Sequence, residues 1–163
     1  MGDGTQERSI DRTTRHLDEI GIAYEVVEHD QAFSAATEAA AAGVRPENAA
    51  KSVLLHDGDG YRLVVIQASD RLDVRKVSDL LGISKAKLRL ATEDEMAADF
   101  SDFELGAIPP LGEMLPAPEI VDRRVLEHDR VLCNGGDHTH SVLLDADDIV
   151  RASDAQVADV CED

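Results

Sequence analysis

Ala50-Lys51-Ser52-Val53-Leu54-Leu55-His56 runs into Asp57-Gly58-Asp59-Gly60 and returns as Tyr61-Arg62-Leu63-Val64-Val65-Ile66-Gln67-Ala68. Two apolar, β-branched runs on either side of an Asp/Gly turn read as an antiparallel hairpin. On both sides of it the hydrophobic period changes. Ile10, Thr14, Leu17 and Ile20 have helical spacing with Gly21 as a stop. Ala23 to Glu28 reads as a strand, and Ser34 caps an alanine-rich helix through Ala42 that Gly43 closes. Downstream, Val77 and Leu80-Leu81 form an apolar helical stripe ended by Gly82, Lys87 to Leu90 is a short strand, and Thr92 with Glu95 has capping-box spacing for a helix to about Phe100. Strands are expected at Glu119 to Asp122, Arg130 to Cys133 and Ser141 to Leu144, with short helices after Asp145 and over Asp154 to Val160. Strands and helices interleave irregularly around at least one hairpin. That favours a mixed-sheet α+β or α/β domain over a doubly wound parallel one.

The chain has 163 residues, enough for one domain with a real core. No apolar run reaches the length of a membrane span. The acidic start, Met1 to Glu7, lacks the basic and apolar regions of a signal peptide, and residues 1–9 read as a frayed tail before a domain over residues 10–163. Cys133 and Cys161 have neither CxxC nor zinc spacing, so a reduced, cytoplasmic protein is the expectation. Thirty-four acidic against 16 basic residues give a net charge of −18. Such a chain repels itself and nucleic acid at low salt. Both penalties shrink at high ionic strength, so the composition reads as that of a protein from a salt-loaded cytoplasm.

Four segments could carry chemistry. Lys51 is one of only four lysines and stands inside an apolar strand. Either its stem packs while the ammonium reaches water, or it lines a polar cavity for an anionic or carbonyl-bearing ligand. Gly106-Ala107-Ile108-Pro109-Pro110-Leu111-Gly112 opens a segment, through Pro118, that holds four of the five prolines. A loop stiffened in this way either connects two strands or aims backbone N–H groups at a ligand oxygen. Asn134-Gly135-Gly136-Asp137-His138-Thr139-His140-Ser141 pairs a glycine turn with a His-x-His. If the strand starts early enough, His138 and His140 share a face and could ligate a metal, with Cys133, His128 or His29 as a third ligand. Loop histidines at a polar site are the alternative. Glu28-His29-Asp30 is a polar triplet at a strand end, and Cys133 reads as a small buried hydrophobe.

In this order, Glu28-His29-Asp30, Ala50 to Leu55, Leu72 to Val77, Gly106 to Gly112, Pro118 to Asp122, Asn134-Gly135-Gly136 and Leu143 to Ile149 resemble the YbaK/ProX family of aminoacyl-tRNA deacylases, over nearly the whole chain from Ile10. The resemblance implies a single domain with a mixed, largely antiparallel, barrel-like sheet flanked by helices. It implies hydrolysis of the ester on a mischarged tRNA, often tRNA(Pro) carrying alanine or cysteine. The mechanism it implies is substrate-assisted, with no metal and no cofactor. Lys51, Gly106 and Pro110 would be the catalytic positions. Ile108 and Pro109 of the same loop would bind substrate, as would His29, Gly135, Gly136, His138, His140 and Ser141. The 3′-terminal adenosine and aminoacyl group of tRNA would be the partner, with prolyl-tRNA synthetase as a further one and with monomer and dimer both open. A non-catalytic tRNA- or synthetase-binding module of the same fold is the alternative. Cysteine-specific members have a tyrosine at the place of Val27, a carboxylate near Ser141 and a Lys-Arg-Gly run where this chain has Asp137-His138-Thr139. These departures leave the edited amino acid open.

Overall fold

A computed structural model describes residues 7–115 and 117–163. Met1 to Gln6, most of the expected tail, and Pro116 lie outside the described residues. Helix α1 (Ser9–Glu19) begins within the expected tail and buries Ile10, Thr13 and Leu17. The hairpin forms as its sequence requires. Strands β2 (Ala50–His56) and β3 (Tyr61–Gln67) pair antiparallel from Ala50↔Gln67 to His56↔Tyr61. One oxygen of Asp57 accepts from the N–H groups of Asp59 and Gly60, and the other accepts from Arg62 Nε. The Arg62 guanidinium and the two turn amides hold the Asp57 carboxyl down at about 2.

Around the hairpin a five-stranded sheet runs in the order β4-β2-β3-β5-β8, and a three-stranded sheet in the order β1-β7-β6. β4 (Arg89–Leu90) lies antiparallel on the end of β2, whereas β5 (Glu119–Asp122) is parallel to β3. β1 (Tyr24–Glu28), β7 (His140–Asp145) and β6 (Arg130–Asn134) are antiparallel neighbours. The sheet is therefore mixed and largely antiparallel, but it does not close into a barrel. A single parallel bridge, Ala49↔Leu132, joins β2 to β6. Its register would next set Lys51 beside Asn134, where β6 ends.

The helix caps follow the sequence. Ser34 with Thr37, and Thr92 with Glu95, close capping boxes at α2 (Ala35–Ala41) and α4 (Glu93–Asp99). Asp73 caps α3 (Val74–Leu81), and Gly82 ends it in the left-handed region. The expected helix over Asp154 to Val160 is instead strand β8 (Gln156–Ala158), parallel to β5. The left-handed Asp154 stops α5 (Ala146–Ser153), and the free edge of β5 then captures the segment.

β2 and β3 are buried on both faces, which is why they read as continuous apolar runs. Ala50, Leu54, Leu63 and Val65 enter the main core with Ile108 and Leu111. Leu55, Val64 and Ile66 pack under Val77 of α3. Ala39 of α2 lies over Ala49 and Leu132 at the seam of the sheets.

The proline segment is tied to β5 by one buried carboxyl. Glu119 Oε1 accepts from the Gly112 N–H at 2.7 Å, while Oε2 has no partner. A side chain at Gly112 would strike the Ala117 carbonyl at 2.5 Å. Burial pushes the Glu119 carboxyl up to about 8. A carboxyl raised in the folded state binds its proton more tightly than in the unfolded chain, so its stabilisation is full at low pH and is lost as pH rises towards 8. Glu119→Gln keeps the acceptor without the charge. Its urea midpoint should match the wild type near pH 5 and exceed it at pH 8, a gain on the order of 1–3 kcal/mol.

Candidate active site

The edge of β2 is shared between two neighbours that do not meet. At its start Ala49 bridges to β6, and at its end Leu55 and His56 pair with β4. Between them the Leu54 carbonyl accepts from the Ala91 N–H at 2.9 Å. Backbone groups alternate along a strand, so the N–H and C=O of Ser52 point to the same side as the Leu54 carbonyl, away from β3. A cleft of about 210 Å³ lies against this stretch, lined by Lys51, Ser52, Val53, Leu54, Leu90, Ala91, Met96, Gly106 and Ile108. A roomier hollow of about 570 Å³ lies beside α5, but Asp129, Asp145, Asp147 and Asp148 line it. Four carboxylates there would repel a nucleotide.

Lys51 enters the cleft half-buried, and its cross-strand partner is Ile66. Among the described residues it makes no ion pair, whereas Lys76 is engaged by Asp159 and Asp163. The facing wall is the start of the proline segment. Gly106 has φ +80, and Ala107 turns back to the Glu104 carbonyl at 3.0 Å. Among the described residues no acceptor meets the N–H groups of Gly106 and Ile108. Pro109 and Pro110 are buried behind this wall. They have no N–H to offer the edge of β2, so the segment covers the opening without pairing into the sheet.

His138 stands at the rim, in the loop before β7 and not on the strand, so it does not share a strand face with His140. Its Nδ1–H donates to the Ala32 carbonyl at 3.0 Å, and its backbone N–H donates to Glu104. The ring of Phe33 lies 4.8 Å away. Both residues border Gly106: a side chain there would come within 4.0 Å of His138 Cε1 and 3.9 Å of the Phe33 carbonyl. His140 points to Asp137, with Nδ1 3.0 Å from the carboxylate. Among the described residues, the one group of three or more His, Cys, Asp or Glu side chains close enough to share a metal is Asp70, Asp122 and Cys161. The possible third ligands Cys133, His128 and His29 do not join the two histidines. Cys133 is fully buried as expected, and burial raises its thiol well above its ordinary range.

His29 and Ser141 belong behind the site, not at its surface. The His29 side chain is 1% exposed. Its Nδ1–H donates to the Asp30 carbonyl at 2.7 Å, and Nε2 lies 2.8 Å from Ser141 Oγ. Ser141 Oγ in turn lies 2.5 Å from Glu38 Oε2. The Asn134 amide, oriented with its nitrogen towards Glu38, donates to both carboxyl oxygens. Burial pushes Glu38 up to about 7 against the opposing pull of Ser141. The glycine pair packs against α1: side chains at Gly135 and Gly136 would strike Ile10 and Ser9 at 2.8 Å. Of the expected positions, the fold thus gathers Lys51, Gly106 and Ile108 in the cleft and sets His138 on its rim. Sequence reading missed Phe33 and Glu38. Glu38 is a lone carboxylate in an alanine run, where alanine on every side leaves no period to mark the buried face.

Residues 29–152 match the family described as the aminoacyl-tRNA editing domain. The chain is 24% identical over 141 residues to the prolyl-tRNA editing protein ProX of Acetoanaerobium sticklandii, covering 83% of this chain and 84% of that one. A crystal structure described as a candidate trans-editing enzyme for prolyl-tRNA synthetase superposes with a TM-score of 0.85 at 27% identity, over 98% of this chain and 100% of that one. A scaffold used for computational grafting of linear epitopes gives 0.84 at 27% identity, over 97% and 99%. The superposed fold and the matched span agree, and the chain belongs to the aminoacyl-tRNA editing family of YbaK/ProX deacylases.

Proposed function

We propose that the chain is a trans-editing deacylase that hydrolyses the ester of tRNA(Pro) mischarged with alanine or cysteine, working in the cytoplasm beside prolyl-tRNA synthetase. One observation carries this reading: among the described residues Lys51 has no ion pair and the N–H groups of Gly106 and Ile108 have no acceptor, and all three residues line one small, mostly apolar cleft. Ester hydrolysis needs the carbonyl polarised and its oxyanion stabilised, which preorganised backbone donors supply. Gly106 and Ile108 are those donors in this reading. Lys51 holds the terminal phosphate or ribose so that the ester sits in attack geometry. A water, oriented by the ribose hydroxyl of the terminal adenosine, adds to the carbonyl carbon. The bond to the ribose oxygen breaks, and that oxygen takes the proton lost by the water. Pro109 and Pro110 fix the wall, and His138 closes the rim. His140 stays with Asp137. His29, Ser141, Gly135 and Gly136 act through packing and hydrogen bonds, without touching substrate. The apolar lining by Val53, Leu54, Met96 and Ile108 suits a small side chain such as alanine.

The test is a panel of tRNAs mischarged with alanine, cysteine and serine, incubated at high salt. Wild type should release alanine or cysteine faster than buffer alone. Release from none of them sinks the proposal, and binding without release favours the non-catalytic module. Lys51→Ala should lower kcat/KM by about 10- to 100-fold, the loss of one charged hydrogen bond, with the thermal midpoint kept. A chelator should leave the rate unchanged; loss of activity would instead favour a metal held by His138 and His140.

A further inference from the structure

Phe33 is 68% exposed, whereas Phe100 and Phe103 are buried. Tyr61 packs edge-on against Phe100 and donates to Asp99, and Tyr24 packs partly buried against the main core. Phe33 is therefore the aromatic ring that the described residues offer to solvent, in a chain with no tryptophan. Its position is held firmly. The neighbouring Ala32 exchanges two hydrogen bonds with His138, backbone N–H to carbonyl and carbonyl to ring Nδ1, each at 3.0 Å. On its other side Ser34 closes the capping box of α2. One neighbouring ring, His138, lies tilted at 51° beside it. The Phe33 backbone carbonyl and the His138 ring border Gly106, which lines the cleft.

We propose that Phe33, steadied by His138, is the platform on which the terminal adenine of the tRNA stacks. This rests on the deacylase reading. An ester seated between Lys51 and Gly106 has its own base one ribose away, and at the Gly106 rim that base meets an open aromatic face. Charge points the same way. With a net charge of −18 the protein gains little from phosphate attraction, and that little falls further as salt rises. Base-aromatic stacking does not depend on counterion release and is the remaining strong contact available to a single-stranded end.

The absence of tryptophan makes Phe33→Trp a single fluorescent reporter. Uncharged tRNA(Pro) should quench it, and the same tRNA without its terminal adenosine should quench it at least about 10-fold more weakly, as expected for one lost stacked base. In deacylation assays Phe33→Leu, of similar bulk but without a ring face, should raise KM by about 5- to 100-fold, and Phe33→Trp should restore it. Equal quenching by intact and trimmed tRNA, or a Phe33→Leu enzyme with the wild-type KM, overturns the proposal while leaving the deacylase reading intact. Adenosine-dependent quenching alongside a wild type that releases no amino acid does the reverse: stacking stands and the deacylase reading falls.

Discussion

The site depends on one interruption in hydrogen bonding. β2 has a full partner in β3 on one side, and on the other it is handed from β6 to β4 with a gap between them. A gap in a sheet exposes backbone polar groups that must be met by something. Here Gly106 and Ile108, just ahead of two prolines that have no N–H to donate, line the gap without pairing to it. The opening therefore persists as a cleft instead of closing into sheet. Lys51 sits in the interrupted stretch, so its unusual setting and the existence of the cleft have one cause.

The proline segment must be held without being paired, and this explains the buried carboxyl of Glu119. A backbone N–H at Gly112 gains a strong acceptor, and the close approach of Ala117 and Glu119 leaves no space for a side chain there. The far wall is held by a different device. Glu38, Ser141, His29 and Asn134 fasten α2 to the three-stranded sheet through side chains alone, which fixes where Phe33 and His138 stand. Two buried carboxyls thus support the two sides of one cleft.

Much of this was legible in the residues. The Asp57 turn, the caps at Ser34 and Thr92, and the stops at Gly43 and Gly82 are local chemistry, and they stand where the sequence puts them. Lys51 and the Gly106 segment were legible as anomalies, a charge in an apolar run and a cluster of prolines. What was hidden is what depends on neighbours distant in sequence. Gln156 to Ala158 became a strand because β5 had a free edge. Gly135 and Gly136 looked like a ligand-facing turn because their contact with Ser9 and Ile10 spans most of the chain. His29 and Ser141 looked accessible because nothing local says that Glu38 covers them.

The same prolines have a role outside catalysis. An unpaired strand edge rich in Val and Leu is a template for a second chain, and proteins block such edges to avoid intermolecular β-pairing. In this fold no strand fills the edge, and the segment beside it carries two prolines that have no N–H to donate. Loosening Gly106 to Pro118 to admit a larger amino acid would uncover an aggregation-prone edge at the same time. Under the proposed function, substrate range and colloidal solubility are linked through one loop.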